Sequence, residues 1–150
     1  MNLEIARQIA EKAHAGQKRK NGEAYINHCI RVSNMAAEYS EEAAIVGMLH
    51  DVIEDSNINI KKIDNSINEI LLDAIGFMTK RKTDSYLEYL LEMKDMGYIK
   101  SDPIGDSARI ATQVKICDLK DNLNGATGTL WDKYMMAYYI LTGEVYGNSL

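Results

Sequence analysis

Apolar residues recur at helical spacing along nearly the whole chain. Over residues 2–14, Leu3, Ile5, Ala6, Ile9, Ala10 and Ala13 fall near one face, and Gly16 offers a stop, which predicts a first helix. A polar, glycine-containing connector, GQKRKNGEAY, leads into YINHCIRVSNMAAEYS, where Ile26, Ile30, Met35 and Ala36 predict a second helix. Ser40 suits the N-cap of EEAAIVGMLHDVIED, and Glu41 and Glu42 suit the positive end of its dipole. The apolar density of this third helix predicts burial on several sides. Further helices are expected over roughly 60–65, 66–79, 84–96, 105–124 and 131–145, separated by Asn, Ser, Asp, Gly and the single proline, Pro103. Alternating β-branched stretches are scarce, and only ATQVKICDL leaves room for a short strand. The expected fold is an all-α bundle of about seven or eight helices.

Composition narrows the function. The 150 residues are 46% hydrophobic and 26% charged, with no repeat, low-complexity tract or linker, so a single domain over 1–150 is expected. The net charge of -5 and pI near 5.2 argue against general affinity for nucleic acid or an anionic membrane. An anionic ligand must then be held by a few local cations or by a metal. The amino-terminal stretch carries charges throughout and no run approaches membrane-spanning length, so a cytoplasmic location is expected. Cys29 and Cys117 lie far apart and read as reduced thiols packed as small apolar groups.

The segment GMLHDVIEDS concentrates chemistry. On one continuous helix His50 and Glu54 share a face, as do Asp51 and Asp55, so an imidazole and three carboxylates would meet a common cavity. Crowded acids repel, and a divalent cation relieves that while using His and Asp as ligands. The competing reading is a partly exposed helix end with solvated acids. His28 on a separate helix and Asp118 in VKICDLKDN supply further ligands. Such a mixture of nitrogen and oxygen donors suits Mn²⁺, Fe²⁺ or Zn²⁺. Asn122 lies one turn beyond Asp118 and faces the same way.

The order HAGQKRKNGEAYINH, then LHDVIEDS, then VKICDLKDN resembles the HD-domain metal-dependent phosphohydrolases. Within them it is most similar to the hydrolase half of RelA/SpoT homologues and the stand-alone small alarmone hydrolases, over His14 to about Asn124. The resemblance implies a Mn²⁺ held by His28, His50, Asp51 and Asp118, with Glu54 and Asp55 positioning the attacking water. It places Arg19 and Lys20 at the guanine base and Asn122 at the nucleoside. The implied reaction is hydrolysis of the 3′-pyrophosphate of guanosine 3′,5′-bis(diphosphate), releasing pyrophosphate. Departures from the family pattern are Cys29 after the first ligand in place of proline, Ala24 before Tyr25 in place of proline, Ser56 in place of threonine, and the part of DNLNGATG that follows Asn122. With 150 residues there is no room for a synthetase half, so alarmone synthesis is not expected. Two alternatives remain open: action on another 3′-phosphorylated nucleotide such as NADPH, and a silent module that binds an alarmone or a protein partner.

Other conspicuous residues take plainer readings. His14 complements the end of the first helix. Trp131, Tyr134, Met135, Tyr138 and Tyr139 recur at helical spacing, as core or as the surface of a homo-oligomer. The Lys-Arg-Lys run at 80–82 reads as a solvated loop, whereas Lys115 and Lys120 stand where they can offset phosphate charge.

Overall fold

Five of the helices start where a short polar side chain caps the first turn. A computed structural model describes residues 1–99 and 101–147 and shows helices joined by short loops, with no strand among those residues. Asn2 caps α1 (Leu3–Ala13), accepting from the Ile5 amide at 3.0 Å, and Ser40 caps α3 (Glu41–Leu49) through the Ala43 amide at the same distance. Between them runs α2 (Tyr25–Ala36), and after α3 comes the single turn α4 (Val52–Asp55). Asn59 and Asn68 cap α5 (Ile60–Ile63) and α6 (Glu69–Met78). α7 spans Tyr86–Ile99, and α9 (Gly128–Thr142) ends at Gly143, whose φ of 75° closes the helix in the left-handed region. Asp102 caps α8 (Pro103–Leu123). Pro103 separates α7 from α8, as expected, by opening α8, where its missing amide hydrogen is not needed. ATQVKICDL lies wholly within α8.

The longest helix, α8, is the axle of the bundle and packs against α2, α3, α6, α7 and α9. α3 is buried along Ala43–Leu49, as its apolar density predicts, and it packs against α1, α2, α6 and α8 within one apolar core. α2 and α3 cross closely at Gly47, where a Cβ would stand 3.0 Å from the Ser33 Cα, and Ser33 Oγ donates to the Ala44 carbonyl at 2.8 Å. The antiparallel pair therefore brings His28, one side of that crossing, against His50 on the other, with ring centroids 5.2 Å apart.

The expected third helix is shorter than its pattern. It ends at Leu49, and Asp51 (φ −100°, ψ −3°) starts the separate turn α4. Along an unbroken helix neighbouring side chains diverge by about 100°. The break bends the chain so that His50 and Asp51, adjacent in sequence, aim at the same space.

Candidate active site

Both histidines are fixed in one orientation by what their Nδ1 atoms touch. His50 Nδ1 donates to the Gly47 carbonyl at 2.7 Å and His28 Nδ1 donates to Asp121 Oδ2 at 2.6 Å. With the proton on Nδ1, each Nε2 presents a lone pair, and the two converge on the acids. His28 Nε2 lies 3.2 Å from Asp118 Oδ1 and 3.8 Å from Asp51 Oδ2; His50 Nε2 lies 3.7 Å and 2.9 Å from the same atoms. Despite that proximity, His50 Nε2 is buried without a hydrogen bond. A buried ring nitrogen without a hydrogen bond, facing two carboxylates, marks a place for positive charge, a proton or in its stead a metal cation. Donor atoms each about 2.1 Å from one ion stand roughly 3.0 Å apart at a right angle and about 4.2 Å apart across it, the range seen here. His28, His50 and Asp118 are buried and offer atoms within 4.8 Å of one another, and Asp51 closes the group from the open side.

The surroundings hold these four groups ready. Tyr25 donates from its hydroxyl to Asp51 Oδ2 at 2.6 Å, Lys115 Nζ pairs with Asp118 Oδ2 at 2.7 Å, and Asn122 Nδ2 donates to Asp118 Oδ1 at 2.8 Å. Burial works against ionisation of Asp51, yet His50 outweighs it and brings the carboxyl down to about 2. Burial opposes Asp118 too, but Lys115 and the imidazoles hold it well below the usual carboxylate range. In return, although burial favours neutral imidazole, Asp51 and Asp118 raise His50 to about 9, and Asp118 and Asp121 raise His28.

Glu54 and Asp55 stand at the exposed rim on α4. Partial desolvation, reinforced by Asp51, raises both carboxyls, and Asp55 adds to the shift at Glu54. Lys115 and Lys80 oppose the shift at Glu54, and the His14 imidazole opposes it at Asp55. His14, buried at the end of α1, donates from Nδ1 to Gln17 Oε1 at 2.9 Å and packs its ring on Tyr25 at 4.8 Å.

Beside the cluster opens a cavity of about 730 Å³ that includes Arg19, Lys20, Tyr25, Asn122 and Tyr134 in its wall. Arg19 reaches into the site from the connector, donating to Asn122 Oδ1 at 2.7 Å, Asp121 Oδ2 at 3.1 Å and Glu23 at 3.3 Å. Tyr134, one of the α9 aromatic stripe, thus faces this cavity; Tyr138 is core, and Trp131 and Tyr139 are exposed. Both cysteines are free and buried, and desolvation pushes Cys29 up to about 12 and Cys117 to about 11, so both are inert thiols at neutral pH.

Sequence reasoning brought forward His28, His50, Asp51 and Asp118, which the fold unites, and Arg19, Lys20 and Asn122, which share one cavity wall. It passed over Asp121, Arg31 and Tyr25. The first two could have been found from spacing: Asp121 follows Asp118, and Arg31 follows His28, by one helical turn.

A family model described as HD domain matches residues 6–85, more than half of the chain, so the chain belongs to the HD-domain family. The family implies a divalent cation, and the His28, His50, Asp118 cluster fits one. A guanosine-3′,5′-bis(diphosphate) 3′-pyrophosphohydrolase of Borreliella burgdorferi is 43% identical over 77 residues, 50% of this chain and 12% of that protein. A GTP pyrophosphokinase of Streptomyces coelicolor is 34% identical over 80 residues, 52% of this chain and 9% of that protein. The matched stretch is thus about a tenth of the length of these relatives. A solved structure of a metazoan ortholog of SpoT that hydrolyses ppGpp superposes with a TM-score of 0.69 at 21% identity, covering 97% of this chain and 85% of that one. At that identity the likeness is one of fold, and the fold is the expected all-α one. Among the described residues no helix is long and apolar enough to cross a membrane.

Proposed function

We propose that this protein is a Mn²⁺-dependent phosphohydrolase that removes the 3′-pyrophosphate of guanosine 3′,5′-bis(diphosphate). The observation that carries the reading is the convergence of two Nδ1-anchored histidines and two carboxylates beside a cavity walled by Arg19, Lys20 and Asn122. The relative from Borreliella burgdorferi supplies the substrate suggested by its name.

In this reading His28, His50, Asp51 and Asp118 hold the cation, which when bound supplies Lewis acidity toward water and the phosphoryl group. The remaining steps belong to the chain's own residues. Glu54, whose carboxyl is raised, accepts the proton of the attacking water, and Asp55 orients that water. The water oxygen bonds to the phosphorus attached to the 3′ oxygen, that phosphorus–oxygen bond breaks, and the 3′ oxygen takes up the proton that Glu54 accepted. Pyrophosphate leaves. Arg19 offers its planar guanidinium to the purine face, and Lys20 offsets phosphate charge that an acidic protein would otherwise repel. Asn122, bonded both to Arg19 and to Asp118, ties nucleoside placement to the reacting end.

The test is incubation of purified protein with Mn²⁺ and guanosine 3′,5′-bis(diphosphate), with pyrophosphate and guanosine 5′-diphosphate as the expected products. A metal-loaded protein that binds this nucleotide and never turns it over contradicts the reading.

A further inference from the structure

Asp121 occupies a singular position. It is buried on α8, one turn from Asp118, and its Oδ2 receives the His28 Nδ1 proton at 2.6 Å. That contact is on the edge of the ring opposite Nε2, so Asp121 does not share the space where His28, His50 and Asp118 converge. Its other partners are two arginines. Arg31 donates Nε to Oδ1 at 2.6 Å and Nη2 to Oδ2 at 3.1 Å, while Arg19 donates Nη1 to Oδ2 at 3.1 Å. Arg31 is itself braced by both Glu23 oxygens, at 2.7 and 2.9 Å. A buried carboxylate with this many cationic donors is fixed in place, and it passes that fixity to the imidazole.

We infer that Asp121 is a positioning residue for the metal: it holds the His28 tautomer and ring plane from behind, with Arg31 as its anchor and Arg19 linking it to the substrate cavity. The inference rests on the reading of His28 as a metal ligand. It assigns a function to a residue that lies at neither the reacting atoms nor the ion. The physical ground is that an outer carboxylate on a ligating histidine fixes its orientation and raises its basicity, and its loss costs about 10- to 100-fold in metal affinity. The alternative role, an anchor that merely keeps Arg19 and Arg31 in place for substrate, makes a different forecast.

The decisive experiment measures Mn²⁺ binding by calorimetry, without substrate, on four proteins: wild type, Asp121→Asn, Arg19→Ala and the double variant. Asp121→Asn keeps the side chain's shape and so spares the fold, which circular dichroism checks. The expected result is Mn²⁺ affinity about 10- to 100-fold weaker for Asp121→Asn, the same loss in the Arg19→Ala background, and wild-type Mn²⁺ affinity for Arg19→Ala alone. Wild-type affinity in Asp121→Asn, or a loss that disappears once Arg19 is gone, overturns the inference. Should Asp121→Asn not fold, Asp121→Glu carries the test, with restored affinity relative to Asp121→Ala expected and equal loss in both overturning it. A His28→Ala control separates the two levels: if it binds Mn²⁺ like wild type, the metal assignment itself fails, whereas its loss alongside an unaffected Asp121→Asn sinks only the role of Asp121.

Discussion

Gly47 lies so close to Ser33 that a single added carbon would stand 3.0 Å from the serine Cα and 3.2 Å from its backbone nitrogen. Backbone cannot turn aside as a side chain can. This crossing sets the separation of α2 and α3, and with it the 5.2 Å between the His28 and His50 rings. Gly47→Ala is therefore expected to force the helices apart, lowering stability by about 1–3 kcal/mol and weakening divalent-metal binding at the same time. Thermal melts with and without Mn²⁺ check it; a variant that melts and binds as wild type contradicts it.

Tyr25 contributes one hydroxyl to the site, 2.6 Å from Asp51 Oδ2, while its ring packs between His14 and His28. Tyr25→Phe keeps the ring and removes the donor. A hydrogen bond to a charged group contributes about 1.5–3 kcal/mol, so metal affinity is expected to fall by roughly tenfold or more with little change in fold. Calorimetric titration with Mn²⁺ reads this directly.

The acids of LHDVIED divide into two kinds. Asp51 faces the histidines, whereas Glu54 and Asp55 stand at the rim. Asp51→Ala is expected to abolish metal binding and hydrolysis together. Glu54→Ala is expected to retain the metal and lose about 10²- to 10⁴-fold in kcat, the usual contribution of a general base. Metal content and single-turnover rates on the two variants separate these outcomes, and a Glu54→Ala protein devoid of metal would reassign the residue.

Much of this was readable from residue order. The capping serine at Ser40 and the buried run of α3 follow from spacing, because helices impose a period of 3.6 on whatever they bury, whereas the set His28, His50, Asp51 and Asp118 follows from the order of three motifs that resemble a known family. The break at His50–Asp51 did not, since an unbroken helical pattern continues through Val52 to Asp55 and only the tertiary setting bends it. Asp121 and Arg31 were passed over for a related reason: charged residues on long helices read as solvent-facing until another helix is seen to supply their partners. Pro103 falls at the boundary between α7 and α8 as expected, and it does so as the first residue of α8.

Protons compete with the ion for this site. Without metal the acids raise His50 to about 9 and also raise His28, and each imidazole must be neutral to donate its Nε2 lone pair. Because a raised value means the proton is held up to higher pH, apparent metal affinity is expected to climb as pH rises from 6 toward 9 and to level off above it. The climb is about tenfold per pH unit for each proton displaced. Titrations in buffers of differing ionisation enthalpy report that proton release. An affinity that stays flat across this window contradicts the assignment of the histidines.

In the proposed site four side chains from three separate stretches of sequence meet around one ion. Anomalous diffraction from crystals soaked in Mn²⁺ tests it most directly. The account predicts one strong peak roughly 2.1 Å from His28 Nε2, His50 Nε2, Asp51 Oδ2 and Asp118 Oδ1. A peak bound elsewhere on the protein, or none between these atoms at saturating Mn²⁺ and pH 9, would contradict it.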